Sequence, residues 1–270
     1  MAKIYILLVA LTILTGCRSH HVSQDIATEE REFTDEDSII NQANVYETLY
    51  TGFGMGEPIS GTDTIKHFVK LELITKAFFD QKRKTAVDYL THDTQIKKKD
   101  SVLTLPCRDS IIILTDHEVD DETRHTHEYM GYIPFLNKYV VSGAYWEDRD
   151  VQLLDKITGK LTATLSEYPF ISPDKKFILD VTANIYDTTA DMHIFRITKS
   201  GIGQALYTTF KNWMPEITIA FYSKDGSFYT PVKHPKRFWD KTGNYSTDYQ
   251  YLKITILEKN IPKVITPIPY

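Results

Sequence analysis

Short apolar runs divided by polar turns dominate the chain, and most of them carry the alternation of half-buried strands. Val102 to Leu105 and Ile111 to Leu114 flank a turn at Pro106 to Asp109 and read as two core strands. Val151 to Val181 predicts a strand around Leu153, a tight turn at Asp155 to Gly159, a second strand to Leu165, then a loop and a third strand from Phe177. Tyr251 to Leu257 and Pro262 to Ile265 predict two more strands, separated by a turn at Glu258 to Asn260. The earlier part of the chain is less regular. Thr34 followed by Asp37 makes a capping-box pattern, and Ile39, Ala43, Tyr46 and Tyr50 share one helical face, so a short helix ended by Gly52 is expected. From His67 to Phe79 the period is double: Val69, Leu71 and Leu73 alternate as in a strand, while Leu71, Ile74 and Phe78 fit a helical face. With a polar turn at Gln81 to Lys84 and a β-rich run from Thr85 to Leu90, the reading favours two strands of a hairpin.

Three segments repeat a polar turn followed by an aromatic and an apolar residue: Asn137 to Val140, Asp174 to Ile178 and Asp225 to Tyr229. Their aromatics, Tyr139, Phe177 and Phe228, stand 38 and 51 residues apart, and Leu153 and Ile194 are separated by 41. The longer interval implies an insertion around Trp213 and Pro215. Spacing of about 40 to 50 residues with several strands per unit is that of propeller blades. Asp155-Lys156-Ile157-Thr158-Gly159-Lys160, followed by Ser172-Pro173-Asp174-Lys175-Lys176-Phe177-Ile178, resembles the repeats of bacterial β-propellers. Lys175 takes the place of their usual turn glycine, which Gly226 retains. The resemblance covers about Ile133 to Phe228 and implies an all-β, propeller-like domain over residues 46–270, with about five blades. A β-sandwich with long hairpins is the alternative.

The N-terminus carries an address. Lys3, the apolar run Ile4 to Leu14 and then Leu14-Thr15-Gly16-Cys17 form a secretory signal whose last four residues resemble the lipobox of bacterial lipoproteins. The resemblance implies cleavage of residues 1–16 and a lipid on Cys17. Arg18, where retained lipoproteins have aspartate, favours the outer membrane of a cell envelope. Several acyl chains anchor far more firmly than one. Residues 17–45 then read as an acidic tether, with Glu29, Glu30, Glu32, Asp35, Glu36 and Asp37 crowding its end. Removing the signal also removes Lys3, taking the formal charge from −5 to −6. A mildly acidic chain without clustered Lys and Arg has no electrostatic footprint for nucleic acid. With Cys17 lipidated, Cys107 has no partner for a disulfide, and a lone cysteine in an oxidising compartment reads as an inert packing residue.

Two stretches carry candidate chemistry. Asp116 to Glu128 is the densest cluster of metal-ligand types; His125 and His127 alternate, so on a strand both imidazoles face one way, and His117 and Glu128 could complete a divalent-metal site. It lacks the H-E-x-x-H spacing. The second stretch, Lys233 to Tyr249, is a long loop between strands in which Phe238, Trp239 and Tyr245 sit among charged neighbours, as rings that stack on a sugar or anchor a protein do. Gly52-Phe53-Gly54-Met55-Gly56 reads as a turn rather than a phosphate loop, because Glu57-Pro58 follows it where a helix should begin. No nucleophile elbow or phosphate loop is present in the sequence. The expectation is a lipid-anchored, non-enzymatic module that binds a protein or glycan partner and needs no cofactor. The alternatives are a metal-assisted hydrolase built on the histidine segment and a structural subunit of an envelope complex.

Overall fold

The structure, a computed structural model, describes residues 39–54 and 62–263. The signal, Cys17 and most of the tether lie outside the described residues, as do Met55 to Gly56 of the glycine run and the part of the expected last strand beyond Lys263. No helix among the described residues is long and apolar enough to cross a membrane.

The fold is all-β, built from antiparallel sheets, none closed into a barrel. The chain enters through β1 (Thr48–Gly52), a single helical turn α1 (Thr62–Lys66), β2 (Val69–Ile74), helix α2 (Lys76–Arg83) and the short β3 (Ala86–Val87). A hairpin follows, β4 (Val102–Pro106) with β5 (Ile111–Thr115). Next comes a four-stranded meander, β6 (His125–Ile133), β7 (Lys138–Tyr145), β8 (Arg149–Asp155) and β9 (Leu161–Leu165). A second meander, β10 (Phe170–Ile171), β11 (Phe177–Asn184), β12 (Thr189–Thr198) and β13 (Gly201–Phe210), is extended at its far edge by β1. The third large sheet collects β14 (Met214–Pro215), β15 (Phe221–Ser223), β16 (Phe228–Lys233) and β17 (Gln250–Ile256), with β2 beside β17 and β3 beside β15.

Period-two alternation gives each sheet two apolar faces, and the sheets stack to bury them. Leu179, Val181, Met192 and Ile194 of the second meander meet Leu71, Phe228, Leu252 and Ile254 of the third sheet in the largest core. Ile178 and Phe195, on the opposite face of the same meander, pack on Val140, Leu153 and Leu165 of the first. That meander turns Tyr139, Val141 and Leu154 to Leu103 and Leu105 of the hairpin. Phe79 of α2 covers Phe221 and Tyr229 on the outer face of the third sheet. Four sheets therefore lie in series, closed off by the β4–β5 hairpin at one end and α2 at the other. The alternative of packed sheets fits this arrangement, and the described residues form four sheets where the spacing predicts about five blades.

The turns of the repeat form as the sequence predicts. Asp155 Oδ1 accepts from the N–H groups of Ile157 and Thr158 at 3.0 and 2.8 Å, and Gly159 takes φ +75° behind them. Lys175 adopts φ +60°, the left-handed conformation that the missing glycine would take freely. Three expectations are corrected. Residues 42–46 form turns, and β1 replaces the end of the expected helix, because side chains rather than a helical face secure this segment. Gln250 accepts from Ile40 N–H at 2.8 Å and donates to Ile40 O at 2.7 Å. The Tyr46 hydroxyl accepts from Leu71 N–H at 2.7 Å and donates to Leu71 O at 3.1 Å, covering the edge of β2 as a neighbouring strand would. The doubly periodic stretch is strand β2 followed directly by α2, not a hairpin; Thr75 caps the helix by accepting from Phe78 N–H at 3.2 Å. Finally, β5 turns Ile111 and Ile113 to solvent, 65% and 64% exposed, so it is an outer strand rather than a core one.

Candidate functional site

Where the apolar core between the two meanders stops, a cleft of about 840 Å³ opens between them. One wall is the β7–β8 turn, Tyr145 to Asp150; the other is the β11–β12 turn with Asn184 to Tyr186. Leu165 and Phe195 carry the core up to its floor, and Tyr245 reaches it from the C-terminal loop. The cleft is acidic. Glu147, Asp148, Asp150, Asp180 and Asp191 line it, against Arg149, which pairs with Glu167.

The inner carboxylates are held in defined roles. Asp180 is 1% exposed, its Oδ2 accepting from Ser166 N–H at 2.7 Å and its Oδ1 from Glu167 N–H at 3.0 Å. Burial pushes this carboxyl up to about 6, against the opposing pull of the Ser166 donor and of His193. His193 lies opposite Asp180 in the register, and Tyr207 opposite His193. The imidazole stacks with Phe195 and Tyr207 at centroid distances of 6.2 Å each. A Cβ on Gly52, next in this row, would stand 2.2 Å from the Tyr207 ring, so any larger residue there would displace that ring. Asp191 accepts from Thr209 Oγ1 at 2.5 Å. Asp150 accepts from the Tyr145 hydroxyl at 3.2 Å, and burial together with that carboxylate holds the phenol above its ordinary range.

The rim supplies large rings. Trp146 is 43% exposed, Tyr186 83% and Tyr245 57%. Of the residues singled out by sequence, Phe238 is buried under its neighbours, edge-on to Trp239 and Tyr245 at 5.3 and 5.2 Å, and supports the loop rather than facing solvent. Trp239 and Tyr245 stack on each other at 4.6 Å and both are exposed, Trp239 at 46%. Trp146 and Tyr186 escape sequence reading because they belong to no repeat. Their signal is a large ring inside a polar turn, Trp146-Glu147-Asp148 and Tyr186-Asp187-Thr188.

The histidine segment does gather its imidazoles. His117 bridges His125 across the strands with ring centroids 5.8 Å apart, and His125 and His127 lie at 5.7 Å on one face of β6. The carboxylates are otherwise engaged. Lys98 donates to Asp116 at 2.5 Å and to Glu128 at 3.1 Å, putting the chain's own ammonium where a metal would be needed to neutralise them. Among the described residues no three His, Cys, Asp or Glu side chains are grouped to hold a metal ion. Cys107 is half-buried and reduced, its thiol 3.7 Å from Asp155 O.

No family model matches the chain, and comparison with curated proteins and with solved structures finds no match. The functional reading therefore rests on the geometry of the site.

Proposed function

We propose that the chain is a lipid-anchored envelope protein that binds a glycan in the cleft between its two meanders. The observation that carries this reading is the combination of exposed Trp146, Tyr186 and Tyr245 rings with a floor of fixed carboxylates. Sugar rings present apolar C–H faces that stack on aromatic side chains and hydroxyls that donate to carboxylate oxygens. The volume, about 840 Å³, falls in the range of small-ligand clefts and accommodates a short oligosaccharide. Five carboxylates favour neutral or amino sugars over acidic ones, because each anionic substituent would be brought against like charge. The lipobox at Cys17 supports placement at a membrane surface, with the acidic tether holding the cleft clear of the headgroups. The finer reading of the fold is that the two meanders are blade-like units, supported by the polar turn followed by an aromatic and an apolar residue that recurs at Asn137 to Val140 and Asp174 to Ile178.

Titration calorimetry against a panel of neutral, amino and acidic oligosaccharides tests the proposal. Trp146→Ala should remove binding and leave the melting temperature unchanged, since the ring is only partly buried. Binding that survives both Trp146→Ala and Tyr186→Ala, or a preference for acidic sugars, would sink it.

A further inference from the structure

A second cavity, of about 510 Å³, is walled by β3, β10 and the single turn Ile217–Ile219 that leads into β15, and it shares no residue with the cleft. Its apolar wall is the margin of the largest core. Val87, Tyr168, Ile217 and Ala220 pack there half-buried, and Phe170 belongs to the core itself.

Two opposite charges stand on this wall. Asp88 directly follows β3, and the wall itself fixes its carboxylate: the Tyr168 hydroxyl donates to Oδ1 at 2.7 Å, and Leu90 N–H donates to the same oxygen at 2.9 Å. The Tyr168 ring lies 5.0 Å from that of Phe170, so the carboxylate is seated beside the apolar surface. Burial, then Asp88, hold the phenol above its ordinary range; the proton stays on Tyr168 and Asp88 stays an acceptor. Arg83 reaches the cavity from the last turn of α2. It follows Phe79 by four residues and so shares its helical face, and the Phe79 ring lies 5.1 Å from Phe221, which is also in the cavity wall. Among the described residues Arg83 has no ion-pair partner and Asp88 meets only neutral donors. The cavity thus holds a cation and an anion, unpaired with each other, at the border of one apolar surface.

We propose that this cavity binds a free α-amino acid with an apolar side chain, its carboxylate on the Arg83 guanidinium, its ammonium on Asp88 and its side chain against Phe170, Ile217 and Phe221. A guanidinium fork matches a carboxylate, and Asp88 Oδ2 is open to an ammonium donor. An acid alone or an amine alone would satisfy one charge and cover the other without a partner. The volume admits a molecule of the size of leucine or phenylalanine. The inference does not depend on the cleft or on any glycan.

Titration calorimetry of the full-length chain in detergent tests it, with L-phenylalanine as the probe. Three analogues each lack one part: glycine the side chain, N-acetyl-L-phenylalanine the cation and L-phenylalaninamide the anion. L-phenylalanine should bind, and each analogue about tenfold more weakly or worse, as the loss of a charged hydrogen bond or of the apolar contact requires. Arg83→Gln should weaken phenylalanine to the level of its amide, and Asp88→Asn should weaken it to the level of the N-acetyl derivative. Both side chains are exposed, so the melting temperature should not change. Should a variant fail to fold, the analogue series on the parent decides. No binding of L-phenylalanine at millimolar concentration, equal binding of an analogue that lacks either charge, or parent-like binding by both variants overturns the proposal.

Discussion

Tyr46→Phe isolates one feature of the fold that no packing argument covers. The substitution removes a single oxygen atom and leaves the ring in place, next to the core between the second and third sheets. That oxygen accepts from Leu71 N–H at 2.7 Å and donates to Leu71 O at 3.1 Å. The carbonyl keeps a donor, Gln42 Nε2 at 3.2 Å, whereas the amide's acceptor is the hydroxyl that the substitution removes. Leu71 is fully buried, so water does not replace the lost partner without local opening. A buried N–H left without an acceptor costs about 1 to 3 kcal/mol. For a chain of this size a loss of about 2 kcal/mol lowers the melting temperature by roughly 4 to 8 °C. Denaturant unfolding should show a lower midpoint at unchanged slope, and hydrogen exchange should accelerate at the Leu71 amide. Tyr186→Phe, on an 83% exposed ring, is the control and should stay within about 0.5 kcal/mol of the parent. If Tyr46→Phe unfolds with the parent and Leu71 keeps its protection, the claim that this hydroxyl stands in for a strand is wrong.

Other expectations follow from the same structure. Trp213→Ala removes a fully buried ring, and its Nε1 bond to Val45 O at 3.0 Å, from the join between the N-terminal segment and the core; a loss of about 3 to 5 kcal/mol is expected in denaturant unfolding. Asp180, whose carboxyl burial raises to about 6, keeps a proton in the fold where the unfolded chain has lost it, so its contribution to stability falls as pH rises from about 4 to 6. Melting curves of the parent and Asp180→Ala should converge across that window as pH rises, and parallel curves would refute the assignment. Asp155 behaves oppositely: burial raises its carboxyl, but Lys138 at 2.6 Å and the Thr158 donors outweigh it and hold it well below the usual range. Its stabilisation is present at neutral pH and lost on acidification below the ordinary carboxylate range, so Asp155→Ala should lower stability at pH 7 and much less at pH 2. Zinc added to the full-length chain should leave its melting temperature unchanged, because Lys98 already neutralises Asp116 and Glu128; a zinc-specific rise that His125→Ala removes would reinstate a metal site.

The repeat was legible because its signals are local. Asp155 to Lys160 fixes a turn through its own side chain, and the strands on either side alternate, so β8, β9 and β11 fall where the pattern puts them. The N-terminal segment was not. Ile39, Ala43, Tyr46 and Tyr50 have helical spacing, but the bonds that decide the conformation come from Gln250 and Leu71, far along the chain. A strand and a helix in direct succession, as at Leu73 to Phe78, give two overlapping periods that a single window cannot separate. The cleft is illegible for a related reason: Trp146, Asp180 and Tyr245 come from three separate stretches and meet only through the stacking of sheets. The loop aromatics were half legible, since composition picks out Phe238, Trp239 and Tyr245 alike and only burial separates the supporting ring from the presented ones.

The pairing of β2 with β17 also governs the order of events when the chain is made. Glu72 and Lys253, opposite one another in this pair, are 181 residues apart. During synthesis β2 emerges long before the strand that will receive it. Its hydrogen-bonding edge then waits through the passage of two complete meanders, whose successive strands are joined by short turns. Pairing across so long a separation is slow, and it is a step at which an unescorted chain is exposed to the wrong neighbour.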